Sequence, residues 1–195
     1  MRVFLASTNP GKLRELRAIF AGSELAVHPI AEYREVAEGA ASYRDNAFAK
    51  AAGLRAQLQA ANLDGAVLAD DSGLEVAALG GRPGVLSARY GGKVGFAQRR
   101  AMILTELRGL EAARRDAKFV CAMTLLRSDG RRIDGYGEVA GRIAPAEAGT
   151  NGFGYDAIFF YPPAGCTFAQ LDEAEKNRVS HRFLAAQALL RAMRT

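Results

Sequence analysis

The stretch that most constrains this chain is Ala66-Val67-Leu68-Ala69-Asp70-Asp71-Ser72-Gly73-Leu74-Glu75-Val76. A short apolar run entered from Asp64-Gly65 predicts a buried strand that stops at two carboxylates, a hydroxyl and a glycine. Adjacent aspartates repel each other. A pair at the end of an apolar run therefore belongs either in a turn held by side-chain hydrogen bonds or in a site that holds a cation. Other polar clusters beside predicted strand and helix ends weigh toward the second.

Length and charge bound the rest. A chain of 195 residues, 49% of them hydrophobic, can bury one sizeable core, and we expect a single domain over residues 1–195 with two lobes. The formal charge of +5 comes from 26 basic residues dispersed among 21 acidic ones, which suits an anionic small ligand as well as it suits nucleic acid. Only two cysteines occur, Cys121 and Cys166. The first lies in an apolar strand-like run as a small buried hydrophobe, and a reducing cytoplasm is the expected compartment. No apolar run approaches membrane-spanning length, and the order of regions that marks a signal peptide is not expected at the N-terminus.

Arg2 to Ala6 predicts a first strand, Ser7-Thr8-Asn9-Pro10-Gly11 a turn, and Lys12 to Phe20 a helix with Leu13, Leu16 and Phe20 on one face. Strand, polar turn and helix start together make an anion site. The first helical amides would be free to donate, the dipole favours negative charge, and Lys12 adds a cation. The Walker A template fails here, because Ala6 stands where its first glycine is required and Leu13 follows the lysine in place of Ser or Thr. The turn is either a phosphate site of another kind or a capped helix.

Glu24 to Pro29 predicts a second strand, followed by an acidic loop through Glu32, Glu35 and Glu38. Ser42 with Asp45 forms a capping box opening a long helix whose buried stripe is Ala47, Phe48, Ala51, Leu54 and Leu58, while Asn46 and Lys50 read as a solvated face. Gly80-Gly81-Arg82-Pro83-Gly84 must be a loop, and Phe96, Ile103, Leu107 and Leu110 mark another amphipathic helix. Lys118 to Leu126 and Arg131 to Ile143 flank Ser128-Asp129-Gly130 as a hairpin. Glycines around Phe153 in Gly152-Phe153-Gly154-Tyr155-Asp156 could let a flat ligand lie on the ring, or could simply form a turn with Phe153 in the core. Lys176, His181 and Arg182, near a C-terminal helix, concentrate hydrogen-bond donors.

Taken together, these segments resemble the inosine triphosphate pyrophosphatase family. The match is co-linear: Ser7 to Lys12, Asn46-Ala47 with Lys50, Ala69 to Leu74, Gly84 with Ser87-Ala88-Arg89-Tyr90, Gly152 to Asp156, and Lys176-Asn177 with Ser180-His181-Arg182. A departure occurs at Glu38-Gly39-Ala40, where the family places one more residue before the glycine. The resemblance implies an elongated two-lobed α/β fold. It implies a long central mixed β-sheet flanked by helices, a nucleotide cleft between the lobes, and a homodimer. It implies hydrolysis of deaminated purine nucleoside triphosphates (ITP, dITP, XTP) to the monophosphate and pyrophosphate, with Mg2+ on the phosphates.

The resemblance also implies roles. Asp71 would hold magnesium and accept a proton from the attacking water, with Glu38 or Asp70 assisting at the metal. Ser72 would hydrogen-bond the substrate. Ser7, Thr8, Asn9, Pro10, Gly11 and Lys12 would hold the phosphates, while Phe153, Gly154, Tyr155, Asp156, Lys176, His181 and Arg182 would hold the base and sugar. Neither nucleic acid nor membrane is an expected partner. The alternatives are a pyrophosphatase of other base preference, a non-catalytic nucleotide sensor and a nucleic-acid-binding module. The last lacks any basic stripe interleaved with aromatics.

Overall fold

The computed structural model describes residues 1–30, 33–36, 39 and 42–194. Its strands are β1 (Arg2–Leu5), β2 (Ala26–His28), β3 (Ala66–Val76), β4 (Asp116–Leu126), β5 (Arg132–Ile143), β6 (Phe159–Tyr161) and β7 (Cys166–Thr167). They form one mixed sheet in the order β2-β1-β3-β4-β5-β6-β7. The pairs of β1 with β2 and with β3 are parallel, and those of β6 with β5 and with β7 are antiparallel. The helices are α1 (Pro10–Ile19), α2 (Tyr43–Ala60), α3 (Phe96–Glu106), α4 (Glu173–Val179) and α5 (His181–Ala192). The α/β class expected from the sequence is the one observed.

The chain divides into two compact units interleaved in sequence. The first comprises Met1–Asp71, Cys121–Gly137 and Ser180–Thr195; the second comprises Ser72–Val120 and Glu138–Val179.

In the first unit, the two-residue period of β3 sorts its side chains onto two helical layers. Ala66 and Leu68 share a core with Leu16 and Phe20 of α1 and with Ala185, Ala186 and Leu189 of α5. Val67 and Ala69 share another with Ala51, Leu54 and Leu58 of α2. Asn9 caps α1, its Oδ1 accepting from the amides of Gly11 (2.8 Å) and Lys12 (3.2 Å). Ser42 caps α2, its Oγ accepting from the Asp45 amide at 3.1 Å. Helix α5 lies so close to β5 that a Cβ added to Gly135 would fall 2.2 Å from the Ala185 carbonyl oxygen, and one added to Gly137 2.4 Å from the Ala185 nitrogen. These two glycines set the seat of the α5 N-terminus.

The second unit buries Leu74, Val76, Ile103, Leu107, Phe119, Val139, Tyr155, Phe159 and Phe168 in one cluster. Within this unit Ser87 holds the second half of β3. Its Oγ accepts from the Leu74 amide at 2.8 Å and donates to the Gly84 carbonyl at 2.6 Å.

Three sequence expectations are corrected. Strand β3 does not stop at Asp70-Asp71 but runs on to Val76, because both aspartates find partners within the layers and the ladder need not break. Phe48 leaves the expected α2 stripe and is 37% exposed, with the Arg132 guanidinium 4.2 Å from its ring centroid. Asn46 and Lys50, read as solvated, are buried. The expected C-terminal helix is α5, opened by Ser180, whose Oγ caps it by accepting from the Phe183 amide at 3.1 Å, and the short α4 precedes it.

Candidate active site

Three helices of the first unit bring polar side chains onto β3. On one face, the Asp71 carboxylate accepts from Lys50 Nζ at 2.7 Å and from Asn46 Nδ2 at 3.1 Å. Asn46 and Lys50 are one turn apart on α2, so a single helix face supplies both donors. Lys50 also reaches the Asp70 carbonyl at 3.4 Å.

The preceding carboxylate points the other way. Asp70 pairs with Lys12 (Nζ to Oδ1, 3.0 Å) and with Arg182, whose Nε and Nη2 both donate to Oδ2 at 3.3 and 3.2 Å. Arg182 Nη1 donates to Glu15. Burial by itself would push the Asp70 carboxyl up. The Lys12, Arg182 and Lys50 cations more than reverse this and hold it well below the usual carboxylate range. Burial would likewise lower Arg182, and the Asp70 and Glu15 carboxylates raise it above its ordinary value instead.

The first turn differs from the simple picture of open helix amides. Pro10 has no N–H, Gly11 and Lys12 donate to Asn9 Oδ1, and Leu13 donates to the Asn9 carbonyl. The amides of the first helical turn are thus spent on the cap. The cation of this segment is the Lys12 ammonium, whose side chain is 17% exposed. Ser7 Oγ accepts from the Asn9 amide at 3.2 Å, and Thr8 Oγ1 donates to Glu35.

In the second unit, Asp156 is the centre. It is 4% exposed, and its Oδ2 accepts from the Phe153 amide at 2.8 Å and from Lys176 Nζ at 2.5 Å. The Lys176 ammonium also lies 5.0 Å from the Phe153 ring centroid, leaving that half-buried ring inside a polar frame. Arg100 of α3 holds the loop from outside, donating to the Gly154 carbonyl at 2.8 Å and to Glu147 at 2.9 Å. A cavity of about 310 Å³ is lined by Arg100, Thr150, Asn151, Phe153 and Asp156 among others.

The structure thus separates the sequence-predicted residues. Asp71, Lys12 and the Ser7 to Gly11 turn lie in the first unit with His181 and Arg182, while Ser72, Phe153, Gly154, Asp156 and Lys176 lie in the second. Tyr155 is a core residue. It is 3% exposed, with its hydroxyl donating to the Ser87 carbonyl at 2.8 Å and its ring edge-on to Phe96. Arg182 is no loose donor, being 2% exposed and bound to two carboxylates. His181 is buried at the first position of α5. Glu38 lies outside the described residues. Sequence reasoning missed Glu15 and Arg100. Glu15 had one signal: it stands three residues after Lys12, beside the apolar stripe of α1, where an unpaired acid would be costly.

No group of three or more His, Cys, Asp and Glu side chains placed to hold a metal occurs among the described residues. The donor chemistry nevertheless fits magnesium. That ion takes oxygen ligands and commonly uses one or two carboxylates together with phosphate oxygens of a substrate, and Asp71 supplies such a carboxylate.

A family model described as the Ham1 family matches residues 3–192. A Thermus thermophilus protein named dITP/XTP pyrophosphatase is 44% identical over 194 residues, covering 98% of this chain and 91% of that protein. A Listeria innocua protein of the same name is 39% identical over 189 residues, covering 96% and 92%. The solved structure of a HAM1 protein from Coxiella burnetii superposes with a TM-score of 0.85 at 35% identity, covering 100% of this chain and 98% of that one. Whole-chain agreement in sequence and in sheet architecture together establish that the chain belongs to the Ham1 family.

Proposed function

We propose that this protein hydrolyses deaminated purine nucleoside triphosphates to the monophosphate and pyrophosphate. The observation that carries the reading is the 44% identity, over 98% of the chain, to a protein named dITP/XTP pyrophosphatase. The site chemistry supports it. In the reaction, the oxygen of a water molecule bonds to the α-phosphorus, the bond from that phosphorus to the α,β-bridging oxygen breaks, and pyrophosphate leaves.

Asp71 takes the proton of the attacking water. Lys50 and Asn46 donate to different oxygens of its carboxylate, which fixes the rotation of the group and hence the direction of its remaining lone pairs. Lys12 and the Ser7 to Asn9 turn bind the phosphates. Magnesium would be held by Asp71 and Glu38 and would neutralise charge on the phosphates.

The base is read in the second unit. The Phe153 ring stacks on any purine. Lys176 can only donate and Asp156, ionised, can only accept. Hypoxanthine presents an acceptor at O6 beside a donor at N1, which suits that couple, whereas adenine would set its amino donor against the Lys176 ammonium and its N1 acceptor against the Asp156 carboxylate. The family resemblance adds His181 and Arg182 to the base-binding set. For Arg182 to reach a base, its bonds to Asp70 and Glu15 would have to give way. The proposed working form is a homodimer in a reducing cytoplasm, consistent with two free cysteines, Cys121 and Cys166.

The test is a panel of purine and pyrimidine triphosphates offered with magnesium, with both products identified. Pyrophosphate and IMP from ITP are expected, with ATP turned over far more slowly. Orthophosphate release, or binding of ITP without turnover, would overturn the reading.

A further inference from the structure

Lys12, Asp70, Arg182 and Glu15 form an alternating chain of two cations and two carboxylates, and its two ends come from one turn of α1. Asp70, Arg182 and Glu15 are 1%, 2% and 3% exposed, whereas the Lys12 side chain is 17% exposed. The chain is therefore sealed at one end and opens at an ammonium. Its charges cancel.

Such a network is a poor device for stability alone. Desolvating four charges costs about as much as their attraction returns, and apolar residues of similar volume often serve as well or better. What it does provide is placement. A lysine has three donors on a flexible stem that loses rotamer freedom when its ammonium is fixed. Asp70 engages this ammonium twice, through Oδ1 at 3.0 Å and through its backbone carbonyl at 3.5 Å, which leaves a third donor for an incoming oxygen. Arg182 holds Asp70 by two nitrogens, and Glu15 holds Arg182.

We propose that Asp70 is a positioning residue, whose buried carboxylate, braced by Arg182 and Glu15, holds the Lys12 ammonium in place for the substrate phosphates. This rests on the proposed function, in that Lys12 is taken to meet phosphate. Asp70 then takes no part in metal binding or proton transfer; it acts only through Lys12. Pre-placing the lysine removes ordering cost from the binding step.

A double-mutant cycle tests it. Asp70→Asn and Asp70→Glu are each made in the wild-type and in the Lys12→Met background. The readouts are the affinity for inorganic tripolyphosphate by calorimetry and kcat and KM for ITP. Circular dichroism checks the fold, and Asp70→Glu keeps the buried charge should Asp70→Asn not fold. We expect a loss of about tenfold or more in tripolyphosphate affinity and in kcat/KM when Lys12 is present, and less than about threefold when it is Met, which is roughly 0.7 kcal/mol or more of coupling. The half-saturating magnesium concentration should stay unchanged in Asp70→Glu. Equal losses in both backgrounds, no loss in either, or a raised magnesium requirement would overturn the assignment. Wild-type turnover of ITP is the control: its absence overturns the proposed function, while the tripolyphosphate cycle still decides the role of Asp70.

Discussion

Asp70 and Asp71 are neighbours in the chain, and their carboxylates lie on opposite faces of β3. Asp70 meets Lys12 of α1 and Arg182 of α5, while Asp71 meets Lys50 and Asn46 of α2. A strand turns successive side chains to opposite sides, so the repulsion expected of adjacent aspartates is relieved by geometry, and each charge is answered by its own helix. This division makes the two residues separable by mutation.

Asp71→Asn should leave the fold intact and remove nearly all turnover. An amide is a poorer magnesium ligand and takes no proton from water, and loss of a positioned base alone typically costs about 10²- to 10⁴-fold. Circular dichroism and ITP turnover check it together. A folded variant keeping more than about a tenth of the wild-type rate, only ~1.4 kcal/mol of barrier, would remove Asp71 from the role.

Lys12→Ala should weaken a triphosphate more than the monophosphate product, since only the former carries the β- and γ-phosphates. Calorimetric titration with both ligands measures this. Equal weakening would place the ammonium elsewhere on the nucleotide.

Arg182→Ala should be strongly destabilising. It strands Asp70 and Glu15, buried at 1% and 3% exposure, without their shared cation. Breaking a buried pair from one side costs about 3–5 kcal/mol, which urea denaturation would show as a shifted midpoint. A midpoint within error of the wild type would mean that the network is not formed in solution.

Gly152→Ala should raise KM for ITP with a smaller effect on kcat. Gly152 has φ of 72°, and a Cβ there would stand 2.2 Å from Asp156 Oδ2 and 3.2 Å from Lys176 Nζ. The left-handed backbone alone costs a residue with a Cβ about 1–2 kcal/mol, and the clash would drive the Asp156–Lys176 pair off the base edge. Unchanged KM would show that this pair does not meet the base.

Tyr90 provides a pH test. Burial, and then its hydrogen bond to Glu106, push its phenol from 10.0 up to about 12. A group whose folded pKa is raised contributes stability that is complete below its unfolded value and lost as pH rises through the folded one. Wild-type stability should therefore fall from about pH 10 toward pH 12 more steeply than that of Tyr90→Phe, as thermal unfolding across that range would reveal. Parallel curves would rule out a raised Tyr90.

The sequence by itself determined the local devices. Apolar periodicity and caps marked β1, β3, α2 and the β4–β5 pair, because these depend on residues a few positions apart. Chemistry-bearing residue types at Ser7 to Lys12, Asp70-Asp71 and Gly152 to Asp156 marked where to look. Only the tertiary structure decided which face each charge took. Asn46 and Lys50 look like a solvated helix face until β3 places Asp71 against them. Arg182 looks like a spare donor until Gly135 and Gly137 let α5 settle onto β5, with its first turn against Asp70 and Glu15, residues more than 100 positions away in the chain. Such pairings depend on burial, which costs an ionic group its water and can be met only by a partner that the fold brings in from elsewhere.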